Sequence, residues 1–129
     1  MTMDQSRGQV EAKISEAVIN FEREYMGRGP LETKSYIIDD IILVRLKGVL
    51  TRAEQQLATD EENPKGRELI KQVRIELLER GRPLLEKAIS TILGRKIISM
   101  HTDISTKTGE RVIIFTLDKK PHFRPSGKE

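Results

Sequence analysis

One segment with the pattern of a β-strand carries residue types that acid–base chemistry uses. His101 and Asp103 are two positions apart, with Ser99 and Ser105 in line, so on a strand all four side chains share one face. An imidazole beside a carboxylate can act as a general base for a hydroxyl, or as two ligands of a metal. The same row is also typical of the solvent side of a strand. The pattern favours a solvent or interface face over a ligand or partner contact, and both over catalysis.

A second pair of carboxylates, Asp39 and Asp40, interrupts an apolar segment that runs from Ser35 to Lys47. Adjacent residues of a strand point to opposite faces, so these two carboxylates would diverge and could not act on one substrate. We therefore predict a structural role, either pairing with an arginine or capping a bulge. Both residues remain candidates for a contact with a ligand or partner.

Arg28 lies between Gly27 and Gly29, directly after an amphipathic segment. A guanidinium and free backbone N–H groups in such a turn can bind phosphate, carboxylate or bicarbonate. However, the turn follows a helix C-terminus, where the helix dipole favours a cation that bonds to the terminal carbonyl groups. A role in stabilising the turn is favoured, and an anion or partner contact is the alternative.

The composition excludes several classes of site. The 129 residues include no cysteine, which excludes disulfides, thiolate nucleophiles and cysteine-based metal sites and fits a reducing compartment. The only other histidine is His122, so no complete metal site is predicted, and no motif indicates a cofactor. We find no convincing catalytic set, and the sequence favours a non-enzymatic protein.

The N-terminal segment lacks the apolar core of a signal peptide, and no apolar run is long enough to cross a bilayer. These features predict a cytoplasmic protein without a transmembrane segment. Residues 1–62 carry eight Lys/Arg and twelve Asp/Glu, whereas residues 63–129 carry fifteen and eight. This asymmetry favours attraction within the fold or between two copies over nucleic-acid binding, for which no basic stripe with stacking aromatics is present.

The hydrophobic periodicity predicts one α+β domain over residues 9–118, between a flexible segment 1–8 and a flexible basic tail 119–129. The predicted element order is α-β-α-α-β-β, with helices at 9–26, from Thr51 to about residue 60, and at 64–93. The three strands, 35–47, 96–106 and 110–117, would form a small, mostly antiparallel sheet. Gly81 and Pro83 interrupt the last helix, either as a kink, which we favour, or as a boundary between two helices.

The strand at 35–47 is apolar on both faces. The face predicted to meet the core holds Tyr36, Ile38, Asp40, Ile42, Val44 and Leu46, and the other face is apolar at Ile37, Ile41 and Leu43. A small sheet with apolar residues on both faces and two open edges needs cover. We therefore expect a homodimer.

Four segments carry a family resemblance: EYMGRGP, IIDDIILVRLKGVLTRAEQQL, GRELIKQVR and GRKIISMHTDISTKTGERVIIFTL. In this order, over about residues 8–118, they resemble the MpsC family, also called the YbcI-like family of small bacterial proteins. The resemblance implies association with a sodium-translocating, membrane-potential-generating system linked to inorganic-carbon supply. It implies no particular catalytic or binding residue.

The leading hypothesis is therefore a non-enzymatic accessory or regulatory protein, cytoplasmic or peripheral to the membrane, with a membrane-protein partner. The alternative is a protein, possibly an enzyme, that binds a small anion or ligand through Arg28 and the strand face of His101 and Asp103.

Overall fold

A computed structural model describes residues 5–59, 62 and 64–124. The chain forms three helices and one four-stranded antiparallel sheet of order β1-β2-β4-β3. The elements are α1 (Arg7–Met26), β1 (Glu32–Ile38), β2 (Ile41–Lys47), α2 (Arg52–Thr59), α3 (Lys65–Leu93), β3 (Ile97–Ile104) and β4 (Arg111–Leu117). The α+β class is confirmed, and the helices pack on one face of the sheet.

The prediction of three strands is wrong, because the segment from Ser35 to Lys47 belongs to a hairpin. Ile38 pairs with Ile41, so Asp39 and Asp40 form a two-residue turn between β1 and β2. Asp39 has a φ of 54°, in the left-handed region that aspartate tolerates better than most residues other than glycine. The element order is therefore α-β-β-α-α-β-β.

The turn also changes which side chains of β1 face the core. Ile42, Val44 and Leu46 are buried as predicted, but Ile37 is buried opposite Ile42. Tyr36 and Ile38, which were predicted to face the core, are 42% and 55% exposed. The turn is responsible, because residues opposite each other in a hairpin share a face.

Helix α3 continues through Gly81 and Pro83 as one helix of 29 residues, so the interpretation of two separate helices is wrong. Pro83 is exposed, and the side of the helix facing the sheet and α1 presents an unbroken buried stripe. The stripe consists of Gly66, Ile70, Arg74, Leu78, Gly81, Leu85, Ile89 and Leu93. The helix positions Arg74 inside the core.

The predicted flexible ends lie partly outside the described residues, at 1–4 and 125–129. Next to them, Arg124 N donates to the carbonyl oxygen of Gln5 at 3.0 Å, and Phe123 packs against the core. The flexibility of both ends stays a prediction.

Gly66 allows α2 and α3 to approach closely. A Cβ on Gly66 would lie 2.6 Å from the carbonyl oxygen of Leu57, a backbone atom that cannot turn away. We expect Gly66→Ala to lower the free energy of unfolding by about 2 kcal/mol, because overpacking outweighs the higher helix propensity of alanine. Urea denaturation measures this change.

Gly8 provides a matched control, since it is also the second residue of its helix. A Cβ on Gly8 meets nothing within 4 Å, so Gly8→Ala should be neutral or stabilising. Equal stability of the two variants would contradict the described contact between α2 and α3.

Candidate functional site

The face of the sheet that carries no helix is a broad, partly apolar surface, which we call the outer sheet face. Among its apolar side chains, Ile41 is 38% exposed, Ile38 is 55% exposed, and Leu43 and Ile114 are half-buried. The strand register places on this face Glu32, Lys34, Tyr36, Ile38, Ile41, Leu43, Arg45, Lys47, Ser99, His101, Asp103, Val112, Ile114 and Thr116.

Charged groups occupy one end of the outer sheet face and pair with each other. Arg45 Nη2 lies 2.7 Å from a carboxylate oxygen of Glu110, and Glu32 lies within 4 Å of both Lys34 and Lys47. Exposed pairs of this kind contribute little to stability. They do leave the apolar centre of the face without a competing unpaired charge.

His101 and Asp103 lie on the outer sheet face, as the spacing predicted, opposite Ile114 and Val112 of β4. One carboxylate oxygen of Asp103 accepts from the N–H of Ile104 at 2.8 Å and lies 4.0 Å from Lys71 Nζ. The Asp103 side chain is 82% exposed. The carboxylate is therefore held by its own backbone and a lysine in water, an arrangement that suits a surface contact better than acid–base catalysis.

Asp39 and Asp40 lie at the end of the β1–β2 hairpin, away from Asp103. The Asp39 carboxylate is 3.5 Å from Lys120 Nζ, and the carbonyl oxygen of Asp40 accepts from the N–H of Leu117 at 2.8 Å. These contacts connect the turn to the end of β4 and to the segment that follows it. They are structural contacts at the rim of the sheet.

Arg28 is separate from the other candidates and contacts backbone oxygens. Its guanidinium donates to the carbonyl groups of Leu50 at 3.0 Å, Gly48 at 3.1 Å and Gly29 at 3.3 Å. Nε, Nη1 and Nη2 each have such a partner. The side chain therefore connects the turn after α1 to the loop after β2.

Each edge of the sheet carries at least one feature that disfavours further strand pairing. At β1, the backbone N–H of Ile37 donates to the carboxylate of Glu11 at 2.8 Å. At β3, Asp103 accepts from Ile104 N, and an irregularity between Ile97 and Ser99 leaves Ile98 outside the ladder and 65% exposed. Capped N–H groups and bulges are devices that discourage pairing at sheet edges. The outer sheet face is therefore better suited than the edges to contact another protein.

Sequence reasoning missed a group of charged residues in the core, which we call the buried charge cluster: Glu22, Glu54, Arg74 and Arg111. Glu22 of α1 is 1% exposed, and Arg74 of α3 and Arg111 of β4 are each 2% exposed. Arg74 forms two hydrogen bonds to Glu54, at 2.7 and 2.9 Å, and donates to the carbonyl oxygen of Val49 at 2.8 Å. The four residues come from all three helices and from the sheet.

Glu54 serves both the cluster and the start of α2. Glu54 accepts from Thr51 N at 2.9 Å and Thr51 accepts from Glu54 N at 3.2 Å, and these two reciprocal bonds form a capping box. Burial acts to raise the pKa of Glu54, but hydrogen bonds from Arg74 and Thr51 outweigh burial and lower it. Glu54 is therefore held in its ionised form.

Three members of the buried charge cluster have buried polar atoms without a hydrogen-bond partner among the described residues. Both carboxylate oxygens of Glu22, Nε and Nη1 of Arg111, and Nη1 of Arg74 are buried without a hydrogen-bond partner there. Burial raises the pKa of Glu22, against the attraction of Arg111 and Arg74, and burial also lowers the pKa of Arg111. Unsatisfied buried groups are uncommon in native proteins and indicate water, an ion or a functional role.

The shift at Glu22 predicts a dependence of stability on pH. Because the folded protein holds this proton to a higher pH than the unfolded chain, the free energy of unfolding falls as pH rises from about 4.5 through the folded-state pKa. Glu22→Gln removes this contribution and should be more stable than the wild type at pH 7. Urea denaturation at pH 4.5 to 8 measures the difference.

Glu24→Gln, an exposed change on the same helix, is the control and should track the wild type at each pH. A wild-type protein and a Glu22→Gln variant with parallel pH profiles would contradict the raised pKa.

Two features are absent from the described residues. None of the helices within 5–59, 62 and 64–124 is both long enough and apolar enough to span a bilayer. Across those same positions, His, Cys, Asp and Glu side chains do not gather in threes around a possible metal ion.

Comparison with known families decides the relationship that the motifs suggested. The family described as "Na+-translocating membrane potential-generating system (MpsC)" matches residues 6–119, nearly the whole chain. The chain belongs to the MpsC family. Its members include proteins without an assigned activity, so membership does not assign one to the surfaces described above.

Two relatives of this MpsC family protein occur in Bacillus subtilis (strain 168). The uncharacterized protein YbcI is 44% identical over 115 residues, which cover 89% of this chain and 90% of YbcI. The uncharacterized protein YrhF is 23% identical over 112 residues, which cover 84% of this chain and 87% of YrhF. No solved structure matches this MpsC family protein significantly.

Proposed function

We propose that this MpsC family protein is a non-enzymatic accessory protein of a sodium-translocating, membrane-potential-generating system. The observation that carries the proposal is the outer sheet face, a partly apolar surface without a helical cover. Ile38, Ile41 and Tyr36 are 38–55% exposed there, and each neighbouring sheet edge has one backbone N–H bonded to a carboxylate. Exposed apolar patches of this kind mark protein–protein contact sites.

The first occupant that we propose for the outer sheet face is a second copy of the chain. Four strands of seven or eight residues give a flat area of roughly 450 Å² per copy, or about 900 Å² in a symmetric pair. Stable interfaces bury about 1,200 Å² or more in total, so this dimer should dissociate at micromolar concentrations. A reversible dimer leaves the same face available to a larger membrane partner.

The sequence candidates fit this proposal as contacts. His101 and Asp103 lie on the outer sheet face beside its apolar centre, and the Asp39–Asp40 turn lies at its rim. Polar groups around an apolar centre are the usual composition of a reversible protein interface. The alternative, an anion site at Arg28, has less support, because the guanidinium already bonds to three carbonyl groups.

Complementation in the host that encodes the protein tests the accessory role. Deletion of the gene should reduce the sodium-dependent membrane potential, measured with a potential-sensitive dye, and the wild-type gene should restore it. Ile38→Lys, on the outer sheet face, should not restore it. Leu69→Lys, at a similarly exposed position on α3, should restore the membrane potential.

An unchanged membrane potential after deletion would contradict the accessory role. Full restoration by Ile38→Lys would contradict the use of the outer sheet face.

A further inference from the structure

A small cleft lies between α3 and β3, beside Asp103. It has a volume of about 50 Å³, room for a few water-sized groups, which excludes a nucleotide or sugar. The side chains that line it are Lys71, Ile75, Leu78, Thr102, Asp103, Ile104 and Arg111. Two of these residues are cationic and one is anionic, so the cleft has an excess of positive charge.

Arg111 supplies the unusual feature of this cleft. Only 2% of Arg111 is exposed, yet its Nε and Nη1 atoms lack a hydrogen-bond partner among the described residues. Glu54 is not available to pair with Arg111, because both oxygens of its carboxylate already accept hydrogen bonds from Arg74. A buried guanidinium with two unused donors is strongly unfavourable unless an acceptor is supplied.

We propose that this cleft binds a small oxyanion, such as a carboxylate group or an ion of similar size, between Arg111 and Lys71. Hydrogen bonds from a guanidinium to the oxygens of such a group are charge-assisted and therefore strong. Lys71 is the second cation, and its 4.0 Å contact with the exposed Asp103 is weak enough for the ammonium to turn to the ligand. The site is separate from the centre of the outer sheet face and does not depend on dimerisation.

Glu22 opposes this binding. Among the charged groups that act on Arg111, Glu22 of α1 has the largest effect, and Arg74 of α3 and Glu54 of α2 act in opposite directions. An oxyanion beside Arg111 is repelled by an ionised Glu22 and tolerated by a neutral one. Removing that charge should therefore strengthen binding, which a purely structural Arg111 would not predict.

The test titrates the full chain with sodium formate, nitrate or phosphate, exchanged for chloride at constant ionic strength. We expect at least one ion to raise the Tm saturably, by about 4 °C at ten times its Kd. The Arg111 Nε–H resonance should shift in the same titration. Blocked glutamate, which carries only a side-chain carboxylate, distinguishes a partner's acidic residue from a free ion by which of the two binds more tightly.

Three variants that keep Arg111 make the test specific. Lys71→Ala should weaken binding several-fold, and Glu22→Gln should strengthen it several-fold. Lys87→Ala, which removes an exposed lysine farther along α3, should leave the Kd unchanged. No saturable response to any probe, or equal weakening by Lys71→Ala and Lys87→Ala, would overturn the proposal.

Discussion

Arg74→Met should lower the free energy of unfolding by about 3 kcal/mol, which would be the largest effect among the changes considered. The substitution keeps an unbranched apolar stem and removes the guanidinium and its charge. Glu54 would then lose two hydrogen bonds of 2.7 and 2.9 Å, and the carbonyl oxygen of Val49 would lose its 2.8 Å donor. An unpaired, partly buried carboxylate costs more than a removed pair does.

The pH dependence identifies the Arg74–Glu54 pair as the source of this loss. The pKa of Glu54 lies below its ordinary 4.5, so the pair stabilises the fold above that pH and loses its contribution as pH falls through the folded-state pKa. The difference between wild type and Arg74→Met should therefore be full at pH 7 and shrink in acid. Urea denaturation of both proteins at pH 7 and at acidic pH measures this difference.

Lys71→Met is the matched control, because Lys71 is 46% exposed and lies one turn earlier on the same helix. It should change the free energy of unfolding by less than about 0.5 kcal/mol. An Arg74→Met variant as stable as Lys71→Met would show that the buried ion pair does not support the fold.

Gly81→Ala should lower the free energy of unfolding by about 2 kcal/mol, even though alanine favours helices by about 1 kcal/mol over glycine. A Cβ on Gly81 would lie 2.5 Å from Cε1 and 2.6 Å from Cζ of Phe21. The Phe21 ring cannot move easily, since it is 5% exposed and stacked on Tyr25 with centroids 4.8 Å apart.

A double-mutant cycle separates this contact from a general effect on α3. Phe21→Leu shortens the side chain that meets Gly81, so Gly81→Ala should cost much less in the Phe21→Leu background than in the wild type. Additive losses in urea denaturation would contradict direct contact between α1 and α3 at this point.

The sequence predicted helices well where the hydrophobic periodicity agrees with residues that typically begin or end a helix. The predicted helix start at Thr51 and the predicted helix ends at residues 26 and 93 lie within one residue of the observed ones. Pro83 was harder to interpret, because a proline ring breaks an isolated helix but tertiary packing on both sides of it can maintain one.

The hairpin was missed because its turn lacks the usual glycine. Asp39 and Asp40 stand between two isoleucine pairs, and the sequence therefore looks like one long strand. Two-residue turns usually contain Asn-Gly or Asp-Gly, which supply the positive φ at low cost. Here Asp39 alone takes that conformation, and the error transferred Tyr36 and Ile38 from the outer sheet face to the predicted core.

The buried charge cluster had a signal that patterning by apolar residues overlooks. Glu22 follows Val18 by four positions, Arg74 lies four positions from both Ile70 and Leu78, and Arg111 precedes Ile113 by two. Each charge therefore occupies a core position in the period of its own element. Charged residues at such positions predict buried pairs, but only the tertiary structure shows which of them meet.

Sedimentation equilibrium of the wild type, Ile38→Lys and Leu69→Lys from 1 to 200 μM tests most directly whether the outer sheet face binds protein. We predict a reversible dimer for the wild type and Leu69→Lys, and a monomer with unchanged Tm for Ile38→Lys. A wild type that stays monomeric over the whole range, or an Ile38→Lys variant that dimerises equally well, would contradict it.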